Sequence, residues 1–237
     1  MLVDQKNIIP ALIIGFGIAL GGYFIGQTII KAKKFDRYVT VKGLSEREVM
    51  ADLAIWPIQI TIAGNELDQL ERQLLDQTSS LTSFLKENNI DDSEITTGSP
   101  NIQDTRANFY GGPSGSPYRY IIQRDFTIRT TDIEKLHRTV ALIPSIIGKG
   151  IILGSKNQWQ QIEYLYTKLN DIKPGMIEEA TINAREAAEK FARDSKSEVG
   201  KIKTASQGFF SIQDRDINTG HIKKVRVVNT IQFYLKD

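Results

Sequence analysis

YVTVKGLSEREVMADLAIWPIQITIAG, residues 38–64, carries the alternation on which the fold assignment turns. Val39 and Val41 alternate with Thr40 and Lys42, and Ile58, Ile60 and Ile62 alternate with Gln59 and Thr61, the period of two expected of half-buried strands. The two runs read as an antiparallel pair. Pro57 has no N–H to give a ladder, which places it at an edge or a bulge of the second strand.

Downstream the period changes. Asn65 offers an N-cap, and Leu67, Leu70, Leu74, Leu81 and Leu85 fall on one stripe of a helix over about 66–88. Extended sequence near 95–107 leads into Phe109-Tyr110-Gly-Gly-Pro-Ser-Gly-Ser-Pro117, a hairpin connection. Tyr118, Tyr120, Ile122, Phe126 and Ile128 then share strand parity. Phe109, Tyr110, Tyr118 and Tyr120 form a candidate contact surface between subunits. Thr131-Asp-Ile-Glu134 reads as a capping box opening a second helix, with Ile133, Leu136, Val140 and Ile143 on its apolar face.

Strand-like sequence returns over 150–166, with Ile162, Tyr164 and Tyr166 on one parity. Pro174 opens the longest helical pattern, which runs towards Gly200 and is lined by Ile177, Ala180, Ala184, Ala188 and Phe191. Val225, Val227, Ile231, Phe233 and Leu235 alternate in a last strand. The order of elements predicts an α+β fold with mostly antiparallel sheet and about three helices.

Upstream of residue 38 the chemistry is different. Ile8 to Ile30 is a run of 23 residues without a charge. As a helix it is about 35 Å long, slightly more than the roughly 30 Å of a hydrocarbon core. The expected organisation is an uncleaved transmembrane anchor in residues 1–34 and an ectodomain in residues 35–237. Gly15-x-Gly17 is not a dinucleotide loop, because Leu20 stands where the third glycine belongs. A cleaved signal peptide fits poorly, since Ile30 occupies a position where a small residue is needed before a cut after Ala32. Gly17, Gly21, Gly22 and Gly26 repeat at four-residue spacing and mark a face for helix packing in the bilayer. Lys31, Lys33 and Lys34 follow the span, and on flanking charge alone they would hold the large domain in the cytoplasm, although long domains translocate largely regardless of that bias.

Composition excludes several functions. A formal charge of +2 over 237 residues leaves no excess for gripping a phosphate backbone, so nucleic acid is not an expected partner. Cysteine is absent, which removes disulfides, thiolate metal sites and thiol nucleophiles. His137 and His221 read as surface or packing residues, without the paired spacing of metal ligands. Asp214-x-Asp216-x-Asn218 starts like a calcium loop, but Val225 occupies the twelfth position where a bidentate glutamate is required, so a turn is expected. Ser114 lacks the spaced glycine of a nucleophile elbow. Glu178, Glu179, Glu186 and Glu189, with Arg185, Lys190 and Arg193, read as the solvated face of the long helix. No catalytic, cofactor or metal residues are expected.

Three segments together resemble the SIMPL-domain family of bacterial envelope proteins: Tyr38-Val-Thr-Val-Lys-Gly43 with Asp52-Leu-Ala54; Ile90-Asp-Asp-Ser-Glu-Ile95-Thr-Thr97; and Ala184-Arg-Glu-Ala-Ala-Glu-Lys-Phe-Ala192 with Val199-Gly-Lys-Ile202. Ala51 stands where the family commonly has Pro, and Val199 where it has Leu. The resemblance implies a periplasmic α+β domain, assembly into ring-like or channel-like oligomers, and a link to envelope or oxidative stress; it brings no catalytic residues. The resulting expectation is a non-enzymatic, inner-membrane, single-pass scaffold whose partners are further copies of itself and the lipid bilayer. The alternative is a tethered ligand-binding or sensory module with a pocket near Trp159, Tyr164 and Tyr166.

Overall fold

In the computed structural model the described residues are 8–35, 37–107, 117–148, 151, 153–154 and 162–236, with the side chains of the first helix described over 13–28. The fold is α+β with antiparallel sheets, as the alternation predicts. The chain forms two compact units, one built from residues 1–46, 173–210 and 226–237, the other from 47–172 and 211–225.

The first unit contains helix α1 (Ile8–Phe35), and its sheet places β10 (Ile222–Lys236) between β1 (Tyr38–Met50) and β8 (Glu198–Gln207). Helix α5 (Leu169–Asp194) packs on this sheet. It presents Met176, Ala180, Ala184, Ala188 and Ala192, all buried, while Val41, Ile231 and Phe233 face it from the strands. The alanines matter because Gly43 sits directly beneath them. A Cβ at Gly43 would lie 1.8 Å from the carbonyl oxygen of Ala180 and 2.8 Å from the Ala184 Cβ, so glycine alone permits this approach of strand and helix. Phe191, expected on the apolar face, is instead 60% exposed, because the buried stripe continues through Ala188 and Ala192. The helix starts before Pro174 and ends with Lys196 at φ 56°, where Ser197 N–H donates to the Ala192 carbonyl at 2.8 Å in a Schellman closure.

In the second unit the sheet runs β3 (Ile95–Thr97), β5 (Tyr120–Thr130), β2 (Leu53–Gly64), β6 (Leu153–Gly154), with β4 (Asn101–Asp104) also on β5 and β7 (Glu163–Leu165) also on β2. Trp56, Ile58, Ile60, Phe126 and Ile128 pack with Leu70, Leu81 and Leu85 of α2 (Leu67–Glu87), Leu136 of α3 (Ile133–Ala141) and Ile146 of the short α4 (Ile143–Ile147). At the end of α2, Asn89 adopts φ 63° and Ile90 N–H reaches the Leu85 carbonyl at 2.9 Å, closing that helix in the same way as α5.

Several local features differ from the sequence-based expectation. β1 and β2 do not pair; β1 lies beside β10 and β2 beside β5, in different sheets. Alternation identifies a strand but not its neighbour. Pro57 is central rather than peripheral, opposite Thr127, but it falls between the β7 pairing at 53–55 and the β6 pairing at 59–60, where its missing N–H breaks no described ladder. The cap of α2 is Glu66; the Asn65 side chain instead accepts from Arg119 N–H at 2.9 Å. Leu67 is 43% exposed and lies off the buried stripe. The cap of α3 is Asp132, which accepts from Lys135 N–H at 2.8 Å, and Glu94 rather than Glu134 engages that turn through Lys135.

Helix α1 spans 28 residues and continues five residues past the uncharged run Ile8–Ile30, through the lysines to Phe35. Its described side chains, however, cover 16 residues, about 24 Å at 1.5 Å per residue, and include five glycines, Tyr23, Gln27 and Thr28. Among the described residues no helix is long and apolar enough to cross a membrane.

Candidate functional site

The second unit gathers both histidines of the chain at one place. The imidazoles of His137 and His221 lie 4.8 Å apart, centroid to centroid, edge to face at 83°. The hydroxyl of Tyr164 is 2.7 Å from His137 Nε2, and its ring is within 6.0 Å of both imidazoles. All three side chains are half-buried.

Each arrives from a different element. His137 lies on α3, whose amphipathic spacing buries Ile133 and Leu136 and leaves the imidazole at the margin of the core. Tyr164 lies on β7, opposite Ala54 of β2. His221 ends the turn that follows β9 (Ser211–Asp214). Asp216 organises that turn, accepting from Asn218 N–H at 2.9 Å, Thr219 N–H at 2.9 Å, the Thr219 hydroxyl and Arg215. These bonds, the Thr219 hydroxyl first, hold its carboxyl down to about 2. The calcium-like Asp-x-Asp-x-Asn therefore serves as a turn, as the sequence predicts. Asp214 pairs with Lys223.

Residues 51–54 bring the pieces into register. Ala51 N–H donates to the His221 carbonyl at 2.8 Å, and Asp52 N–H donates to the Leu165 carbonyl at 2.9 Å. The Asp52 carboxylate accepts from Thr167 N–H at 2.8 Å and from its hydroxyl at 3.1 Å. A single turn after β1 thus fixes both the strand that carries Tyr164 and the turn that carries His221.

Burial, then the neighbouring His221, push the His137 imidazole below its usual 6.5, against the opposing pull of Glu134. Burial raises the Tyr164 phenol and keeps it a hydrogen-bond donor. Both shifts favour the uncharged forms of His137 and Tyr164, so the hydroxyl and Nε2 meet as neutral partners at neutral pH. Among the described residues, no three histidine, aspartate or glutamate side chains converge as a metal site requires.

The expected site residues are scattered by comparison. Gly17, Gly21, Gly22 and Gly26 lie on α1, and beyond the helix's own adjacent backbone no heavy atom comes within 4 Å of the point a Cβ would occupy, so no other described element packs on them. Tyr118 is 47% exposed, whereas Tyr120 is half-buried against the core with the Arg119 guanidinium 4.8 Å above its ring. Phe109 and Tyr110 lie outside the described residues, as do Ser114 and Trp159. Of the suggested pocket, Tyr164 enters the imidazole cluster, and Tyr166 sits beyond β7. Sequence reading misses the cluster because positions 137, 164 and 221 share no motif spacing. The available clue is the scarcity of histidine, with one on a capped helix and the other in a turn.

No curated protein matches the chain. The family model described as SIMPL, protein of unknown function (DUF541), matches residues 39–229, a span that holds Gly43, Asp52, the alanine face of α5 and the whole imidazole cluster. The chain belongs to the SIMPL family.

Proposed function

We propose that the protein is a non-enzymatic, membrane-anchored scaffold of the bacterial envelope, in which α1 seats in the inner membrane and the SIMPL domain assembles with copies of itself on the periplasmic side. The observation that carries the reading is the side-chain exposure of α1. Ile13, Ile14, Phe16, Ile18, Tyr23, Phe24 and Ile25 are each between 62% and 71% exposed. Moving seven such side chains from water into an apolar phase is worth on the order of 10 kcal/mol. A bilayer supplies that phase, and the glycines on the same helix offer a surface for a second helix. Two-dimensional confinement then raises the effective concentration of the domains, which favours repeated contacts that close a ring.

The test is alkaline carbonate extraction of membranes expressing the full-length protein, followed by mass photometry in detergent. Retention in the pellet and a discrete multi-subunit mass are expected, and a start at Phe35 releases the protein to the supernatant. Extraction of the full-length chain, or a monomer at micromolar concentration, overturns the proposal. Protease accessibility in spheroplasts separates a periplasmic domain from the cytoplasmic placement that Lys31, Lys33 and Lys34 favour.

A second reading, a tethered sensory module, is favoured by the His137–Tyr164–His221 cluster. Its test is thermal shift across a metabolite library at neutral and mildly acid pH, where no ligand-dependent shift at either pH counts against it.

A further inference from the structure

We propose that His137, Tyr164 and His221 form an acid-released clasp, which at neutral pH holds the turn 214–222 against α3 and β7 and lets that turn go on mild acidification. This stands independently of the anchoring and assembly proposed above.

Two imidazoles in edge-to-face contact at 4.8 Å are compatible when at least one is neutral, since an electron-rich ring face then meets a ring edge. Once both are charged, the same contact sets two cations together in a half-buried site. The hydrogen bond changes as well. A neutral His137 Nε2 that accepts from the Tyr164 hydroxyl becomes an N–H donor when protonated, so the tyrosine must turn its own proton elsewhere.

The surrounding charges come from three elements. From α3, Glu134 acts on His137 and favours its protonated form. From β7, Tyr164 contributes a neutral phenol. From the segment around the turn, Asp214 lies beside Gly220 and is paired with Lys223, and Asp216 is paired with Arg215. Among the described residues Glu134 is the carboxylate that acts on His137, and burial together with the second imidazole outweighs it, moving the ring below its ordinary range.

A histidine held below its unfolded value stabilises the clasped state above about pH 6.5, and that contribution is lost as pH falls through the lower folded value. The turn is the part that yields. α3 and β7 are tied into the main core through Leu136 and the β2 ladder, whereas the turn, closed on itself by the β9–β10 pairing and the Arg215 N–H to Ile222 carbonyl bond, is joined to those elements by the cluster, by the Ala51–His221 backbone bond and by the Arg215–Glu48 pair. Ile217, 88% exposed, stands at its tip.

The experiment is hydrogen–deuterium exchange on the full-length protein in detergent at pH 7.5 and 5.5, corrected for intrinsic exchange, with His221→Gln and the His137→Gln/His221→Gln pair as variants. In the wild type, protection over 214–222 should be lost in part at the lower pH, while β2 and β5 keep theirs. Both variants should lose that pH response. Protection independent of pH in the wild type, or an equal loss in the doubly substituted protein, overturns the clasp. A second readout does not depend on the variants folding: the chain has two histidines, so their ring Hε1 protons give two NMR signals. Coupled titration of the two is expected, and independent one-proton curves with unshifted chemical environments at Tyr164 would also overturn it.

Discussion

Replacing Gly43 with alanine tests the central packing contact of the first unit. The added methyl carbon would sit 1.8 Å from the Ala180 carbonyl oxygen, 2.6 Å from the Ala184 nitrogen and 2.8 Å from the Ala184 Cβ. Best non-bonded contact begins near 3.5 Å, so helix and strand must separate by about 1.7 Å. No side-chain rotation relieves this, because two of the three obstructing atoms are helix backbone. A gap of even 1 Å forfeits about half of each dispersion contact it opens, here along Ala180, Ala184 and Ala188 against Val41, Ile231 and Phe233. Overpacking of a well-formed core costs about 1–3 kcal/mol, and backbone obstruction places Gly43→Ala at the upper end. The lower unfolded-state entropy of alanine offsets up to about 1 kcal/mol. The net expectation is a loss of about 2–3 kcal/mol. Guanidinium chloride unfolding of the full-length protein in detergent, followed by circular dichroism, should show a midpoint lowered by somewhat under about 1 M for an m-value near 3–4 kcal/mol/M. Ala184→Gly in the same chain should rescue little, because the shortest obstruction is the Ala180 carbonyl. A midpoint unchanged within error, or full rescue by Ala184→Gly, would show that this contact is not what sets the spacing of strand and helix.

Lys196→Gly should stabilise the protein by about 1 kcal/mol, since φ 56° is a left-handed conformation that glycine adopts without strain; an equal or lower unfolding midpoint would contradict the helix closure. Lys135→Gln should cost about 1–2 kcal/mol at pH 7, because Lys135 Nζ lies 2.8 Å from Glu94 in a half-buried pair. Burial alone would raise the Glu94 carboxyl, but its bonds to Lys135, Thr130 and Asp91 together hold it below 4.5, so the stabilisation is full above that value and is lost as pH falls through the lower folded one; the two proteins should converge in stability there. Asp52→Ala should loosen β7 by about 1–3 kcal/mol, read as faster amide exchange at Thr167, because that carboxylate accepts two bonds from the residue. Phe191→Ser, at an exposed position, should change stability by less than about 0.5 kcal/mol, whereas Ala188→Leu should cost about 1–3 kcal/mol in the same thermal melt.

Local periodicity carries most of the fold. The alternation at Ile58, Ile60 and Ile62 and at Val225, Val227, Ile231 and Phe233 marks strands because a sheet with one buried face imposes that pattern. The same pattern is silent on partners, which is why it suggests β1 and β2 side by side when β10 fills the place beside β1. Caps are legible only to within a residue, since Asn65 is drawn off by the Arg119 N–H and leaves Glu66 at the cap without a side-chain bond, while Asp132 rather than the adjacent Thr131 accepts from Lys135 N–H. The alanine run on α5 announces close packing, but the Gly43 position beneath it becomes interpretable only where strand and helix meet. The imidazole cluster is the least legible feature, because its members are joined by the ends of elements rather than by any sequence spacing.

The segmental make-up of the first unit also sets an order for synthesis on the ribosome. That unit needs residues 1–46, 173–210 and 226–237, and its central strand, β10, is the last of these to be made. At roughly 5–20 residues per second, β1 waits about 10–40 s for its neighbour. Through that interval Val39, Val41 and the open backbone of β1 have no sheet to join, while residues 47–172 of the other unit are already available to fold. Chaperone demand during biogenesis should therefore concentrate on the stretch just after α1, and any truncation that removes β10 should leave β1 exposed as an adhesive edge rather than merely shorten the protein.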